Sequence, residues 1–72
     1  ENKFNLIFLD PPYKEKNINL LLNKIHEMNI LIAEGIIVLH RHKRSNDNFD
    51  YKFKILRTEN YGISKIIFGK FI

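Results

Sequence analysis

The tetrapeptide Asp10-Pro11-Pro12-Tyr13 gathers the groups of this sequence best suited to chemistry on a flat, amine-bearing ring. Asp10 offers a carboxylate, and Pro11 a carbonyl held in place by the rigid Pro-Pro geometry. Together they form a pair of acceptors for a planar NH2 group. Tyr13 adds an aromatic face on which a ring can stack, typically worth ~1–3 kcal/mol per base. Acceptors plus stacking describe a pocket for the exocyclic amine of a nucleobase. A second group of polar residues lies at His40-Arg41-His42-Lys43-Arg44. Arg41, Lys43 and Arg44 are candidates for contacts to nucleic-acid phosphate, and equally for a solvated loop. His40 and His42 would share one face of a strand and so could be read as metal ligands. With no cysteine in the chain and only the distant His26 besides, no metal is expected there.

The elements around these residues follow from hydrophobic pattern. Phe4 to Leu9 is a short, nearly continuous apolar run, the mark of a strand buried on both faces, as in a parallel sheet. Two prolines end it, placing Asp10 at the carboxyl end of a strand, where open α/β sheets bind ligands. Ile18, Leu21, Leu22, Ile25, Met28 and Ile32 recur at mostly three- and four-residue steps. That stripe predicts an amphipathic helix with Asn17 as N-cap and the whole stripe, Met28 included, in the core. Gly35 predicts a turn before a second buried strand, Ile36 to His40. Strand, helix and strand read as a right-handed βαβ unit. Arg41 to Asp50 is polar and reads as a loop. Tyr51 to Arg57 mostly alternates, as a half-exposed strand does. Asn60-Tyr61-Gly62 is turn chemistry, more a turn anchor than a substrate contact, and Ile63 to Phe71 is a further strand. The last two strands pair as an antiparallel hairpin. The expected fold is α/β: a mixed four-stranded sheet, a βαβ unit followed by a hairpin, with one main helix.

Size and composition narrow the function classes. The chain has 72 residues, 44% of them apolar, no cysteine and a net charge of +4. It is ordinary for a globular chain and fits one domain at most. The absence of cysteine excludes disulfides and thiolate zinc sites and fits a reducing compartment. Apolar runs are too short to span a membrane as a helix. Asn, Ile and Lys are overused, as an AT-rich genome would produce, so not every lysine carries function. Charge is uneven all the same: residues 1–35 hold four Lys and five acids, whereas residues 36–72 hold eight Lys or Arg and three acids. The basic half suggests an anionic partner, with nucleic acid the commonest candidate. One helix can cover only one face of a four-stranded sheet, and the chain opens on Glu1-Asn2-Lys3 without an initiator Met. We therefore expect a piece of a longer protein, with the missing material before residue 1. Alone, such a piece should be inactive, marginally stable and prone to self-association through its open first strand.

Asp-Pro-Pro-Tyr after a hydrophobic strand is similar to the catalytic motif of class I S-adenosylmethionine-dependent amino-methyltransferases, which modify adenine N6 or guanine N2. The resemblance continues through Leu6-Ile7-Phe8-Leu9-Asp10-Pro11-Pro12-Tyr13, Leu31-Ile32-Ala33-Glu34-Gly35-Ile36-Ile37-Val38 and Tyr61-Gly62-Ile63-Ser64-Lys65-Ile66. These three blocks look like the C-terminal half of the bacterial small-subunit ribosomal RNA guanine-N2 methyltransferases. A glutamine methyltransferase of release factors would more often carry Asn in place of Asp10. The resemblance implies a Rossmann-like class I fold of which residues 1–72 form the substrate-side half, the cofactor-binding half being absent. It implies S-adenosylmethionine as cofactor, and ribosomal RNA or the small ribosomal subunit as partner. The compartment it implies is a bacterial cytoplasm. It also implies roles: Asp10 and the Pro11 carbonyl accept hydrogen bonds from the amine, Pro12 holds the turn, and Tyr13 stacks on the base. Of the residues in this chain, Asp10 alone is also implied toward the cofactor. There are two departures. The Gly-rich cofactor loop does not occur in these residues, and His40 stands where many members carry Glu. The alternatives are an adenine-N6 methyltransferase of DNA or RNA, and a basic RNA-binding module without catalysis.

Overall fold

A computed structural model of the chain describes residues 2–72. In chain order they form β1 (Phe4–Leu9), α1 (Ile18–Met28), β2 (Leu31–His42), β3 (Phe53–Tyr61) and β4 (Ser64–Phe71). The strands make one sheet in the order β1-β2-β4-β3. β1 and β2 run parallel, while β4 pairs antiparallel with both β2 and β3. The mixed four-stranded sheet with one helix expected from the sequence is the observed architecture.

Helix α1 begins where Asn17 caps it. Its side-chain oxygen accepts from the Leu20 N–H at 3.3 Å, satisfying one of the orphan donors of the first turn. Ile18, Leu22 and Ile25 are buried and pack with Ile37, Leu39, Phe53 and Ile67 as the core. The helix stops at Met28 because Asn29 adopts the left-handed conformation, φ 55°, which Asn tolerates. The expected stripe therefore overruns the helix. Met28 is 62% exposed rather than core. At ~100° per residue it points ~80° away from Ile18, off the edge of the buried face. Ile32 belongs to β2 and is exposed.

Strand β2 starts at Leu31, so Gly35 lies inside a strand and not in the expected turn. The β1–β2 register passes from Phe4 beside Leu31 to Leu6 beside Ile36, which places a bulge in β2. Glu34, at φ 66°, sits in that bulge. Its carboxylate accepts a hydrogen bond from the Lys70 ammonium, which holds the Glu34 carboxyl below the usual carboxylate range. Beyond the bulge, Ile37, Leu39 and Arg41 alternate toward the helix side. β2 thus continues through His42, two residues past its expected end. The β3–β4 hairpin also closes later than expected. Tyr61 still pairs with Ser64, and the loop is Gly62-Ile63. Gly62 takes φ 55° at the first loop position, where a two-residue hairpin favours glycine.

Burial of β1 is one-sided. Ile7 and Leu9 pack on the core. Phe4, Leu6 and Phe8, on the opposite face, are 59%, 54% and 58% exposed. The expectation of a strand covered on both faces therefore holds for the helix side alone. No helix among the described residues is long and apolar enough to cross a membrane.

Candidate active site

The parallel register that sets Leu9 beside Leu39 carries Asp10 to the side of His40. Asp10 Oδ1 lies 2.8 Å from His40 Nδ1, and His40 Nε2 lies 2.9 Å from Ser64 Oγ. A carboxylate can only accept, so His40 donates Nδ1–H to Asp10 and, in its neutral form, accepts the Ser64 hydroxyl proton at Nε2. The three residues come from the ends of β1, β2 and the hairpin of β4. The connectivity is that of a serine-hydrolase triad, but there the carboxylate is buried. Here the Asp10 side chain is 60% exposed and faces a cleft.

That cleft, about 160 Å³, is lined by Asp10, Pro11, Tyr13, His40, His42 and their neighbours at the hairpin turn. Two acceptors on its lining residues are uncommitted among the described residues: Asp10 Oδ2 and the Pro11 carbonyl. The Pro12 carbonyl is not available, because it already accepts from the Glu15 N–H at 2.9 Å and from Arg41 Nη1 at 3.1 Å. Tyr13 is 57% exposed, and one of its faces meets the His42 ring, centroids 4.5 Å apart at 32°. His42 Nδ1 accepts from the Arg44 N–H at 3.0 Å. Both histidines of β2 thus serve the loop after β1. Among the described residues no cluster of three or more His, Cys, Asp or Glu could hold a metal ion.

Arg41 differs from the expectation. It lies in β2, not in a polar loop, and is 3% exposed. Its guanidinium donates to Asp47 through Nε at 2.8 Å and Nη2 at 3.2 Å, to the Pro12 carbonyl, and to the Glu15 carbonyl at 2.7 Å. Those bonds tie the loop after β1 to the body of the sheet and leave Arg41 unable to reach a phosphate without breaking them. Lys43 and Arg44 are exposed, as a phosphate contact requires. Next to Tyr13 a shallow cleft of about 390 Å³ brings Arg44 together with Lys14 and Lys16. Those two lysines follow the Asp-Pro-Pro-Tyr motif directly, a signal in the sequence that is missed when the two segments are read apart.

The sequence and the fold are both similar to those of known proteins. Residues 1–70 match the family described as conserved hypothetical protein 95. The chain belongs to that family. It is 35% identical over 71 residues to the putative rRNA methyltransferase YlbH of Bacillus subtilis, covering 97% of the chain and 39% of the relative. It is 31% identical over 64 residues to an uncharacterized methylase of Rickettsia prowazekii, covering 89% of the chain and 27% of the relative. Among solved structures, a conserved hypothetical protein of Streptococcus pyogenes superposes with a TM-score of 0.80 at 28% identity, over 94% of the chain and 43% of that protein. A putative methylase of Haemophilus influenzae gives 0.73 at 21% identity, over 96% and 44%, a likeness of fold. The chain spans less than half the length of each of these four proteins.

Proposed function

We propose that this chain is the target-binding half of a longer S-adenosylmethionine-dependent methyltransferase that methylates the N2 amine of a guanine in small-subunit ribosomal RNA. The observation that carries the proposal is the pair of uncommitted acceptors, Asp10 Oδ2 and the Pro11 carbonyl, on two residues that line one cleft together with Tyr13. The names of two similar proteins, a putative rRNA methyltransferase and an uncharacterized methylase, support the same reading.

Each residue then has a task. Asp10 and the Pro11 carbonyl each accept one N–H of the amine, which turns the nitrogen lone pair out of the ring plane. Tyr13, backed by His42, gives the base a stacking surface on its other face. Arg41 keeps the loop in place from inside. Lys43, Arg44, Lys14 and Lys16 meet the phosphates flanking the target. A base within an RNA helix must first be turned out, at a cost of roughly a few kcal/mol. The donor set suits the methyl source too, since a carboxylate and a carbonyl both favour a nearby sulfonium cation. When bound, S-adenosylmethionine would supply an electrophilic methyl group to the amine nitrogen, with a neutral thioether as leaving group and the displaced amine proton passing to solvent. The chain's own contribution is orientation.

The test is product identity. The full-length protein is incubated with methyl-labelled S-adenosylmethionine and small-subunit RNA, and the RNA is digested to nucleosides for mass spectrometry. N2-methylguanosine is the expected product. N6-methyladenosine would redirect the reading to the adenine alternative. Absence of label, together with no calorimetric binding of S-adenosylmethionine, would favour an RNA-binding module.

A further inference from the structure

We propose that His40 is a positioning residue that fixes which oxygen of Asp10 meets the target amine. The inference rests on the methyl-transfer reading above. An aspartate that is 60% exposed at a strand end is free to rotate its carboxylate and to share its lone pairs with water. Here one oxygen is taken. His40 Nδ1 holds Oδ1 at 2.8 Å, leaving Oδ2 as the oxygen of this cleft-lining residue that has no partner. The imidazole is itself held at its far side, where Nε2 meets Ser64 Oγ at 2.9 Å. Ser64 belongs to β4, and its place on the sheet is fixed by the pairing of Ser64 with both His42 and Tyr61. The carboxylate is thus braced through His40 to a strand at the centre of the sheet, although β1, which carries Asp10, is an edge strand with a half-exposed face. The bracing supplies from side chains the rigidity that an edge strand lacks.

Three groups are linked and only one of them touches the target, so the roles separate. Asp10 binds the amine; His40 orients Asp10; Ser64 orients His40. A misplaced carboxylate weakens the reaction geometry more than it weakens binding of a large RNA, whose affinity comes mainly from phosphate contacts. Loss of the Nδ1 donor should therefore appear in kcat and not in KM. Asparagine offers the discriminating replacement, because its amide NH2 is attached to Cγ just as Nδ1 is, and can donate to Asp10 without an imidazole.

The experiment compares wild type, His40→Ala and His40→Asn in the full-length protein, measuring kcat and KM for RNA. His40→Ala should lower kcat roughly 10- to 100-fold with KM within about threefold of wild type, and His40→Asn should recover most of that loss. Activities of both variants within about twofold of wild type would overturn the proposal, as would equal losses in the two. A readout independent of methyl transfer is the imidazole nitrogen spectrum of the same protein labelled with 15N-histidine, His40 being assigned by its disappearance in His40→Asn. Protonation of the neutral ring at Nδ1 is expected, and protonation at Nε2 alone would contradict the pairing. If the wild-type protein transfers no methyl group yet shows the Nδ1–H form, the methyltransferase reading fails while the bracing of Asp10 stands.

Discussion

Arg41, near the end of β2, and Asp47 form a buried, two-point ion pair whose guanidinium also anchors the loop after β1. Nε to Oδ2 is 2.8 Å and Nη2 to Oδ1 is 3.2 Å, with side chains 2% and 8% exposed. The same guanidinium donates to the carbonyls of Pro12 and Glu15, so the loop bearing Tyr13 is fastened to β2. Removing one partner of such a pair leaves an uncompensated buried charge, at a cost of ~3–5 kcal/mol. Arg41→Ala should destabilise the protein by that order in denaturant titration. Arg41→Lys should recover little, since a single ammonium cannot match the planar fork that serves Asp47 and two carbonyls.

Binding to RNA should depend on the exposed cations and not on Arg41. Neutralising Lys43 and Arg44 together should weaken RNA affinity at all sequences alike. It should also reduce the slope of log affinity against log salt by roughly one for each phosphate that no longer meets a cation. Filter binding across a salt series measures both. An unchanged slope would place the phosphate-binding cations elsewhere.

The far end of the sheet offers a stability test remote from the site. A Cβ added at Gly69 would overlap the edge of the Phe53 ring and crowd the Lys54 carbonyl; that ring is buried and packs with Phe49 and Phe71. Gly69→Ala should cost about 1–3 kcal/mol by displacing that ring. Methyl transfer below the melting temperature should be unaffected.

Exposed Phe4, Leu6 and Phe8 on the edge strand β1 form an apolar surface with unpaired backbone beside it. The 72-residue chain expressed alone should therefore self-associate, as sedimentation velocity would report. Phe8→Lys should shift it toward monomer, since a charge on an edge strand opposes pairing. A monodisperse wild-type chain unaffected by the substitution would contradict this.

Those outcomes follow from features of unequal legibility in the sequence. The short apolar runs at 4–9 and 36–39 and the stripe through Ile18, Leu22 and Ile25 suffice for the parallel strands and the helix, because length and flanking Pro and Gly mark the runs while period marks the stripe. Met28 and Ile32 continue that stripe at acceptable steps, but Met28 falls off the edge of the buried face and the left-handed Asn29 ends the helix before Ile32. Gly35 has the chemistry of a turn residue, yet it lies within β2, beside the Glu34 bulge. Arg41 reads as solvated because its neighbours are charged. Its phase with Ile37 and Leu39 says otherwise, and Asp47 is its buried counterion. At the site, Asp10 to Tyr13 is contiguous and visible at once. The links from Asp10 to His40 and from His40 to Ser64 cross 30 and 24 residues of chain, so they emerge only with the strand register.

Reception of the target amine by Asp10 is tested most directly by single-turnover methyl transfer to small-subunit RNA, comparing full-length wild type with Asp10→Ala. The substituted side chain is exposed, so the melting temperature should be preserved. The rate of transfer should fall by at least roughly 100-fold. A variant that folds and turns over like wild type would contradict the role assigned to Asp10.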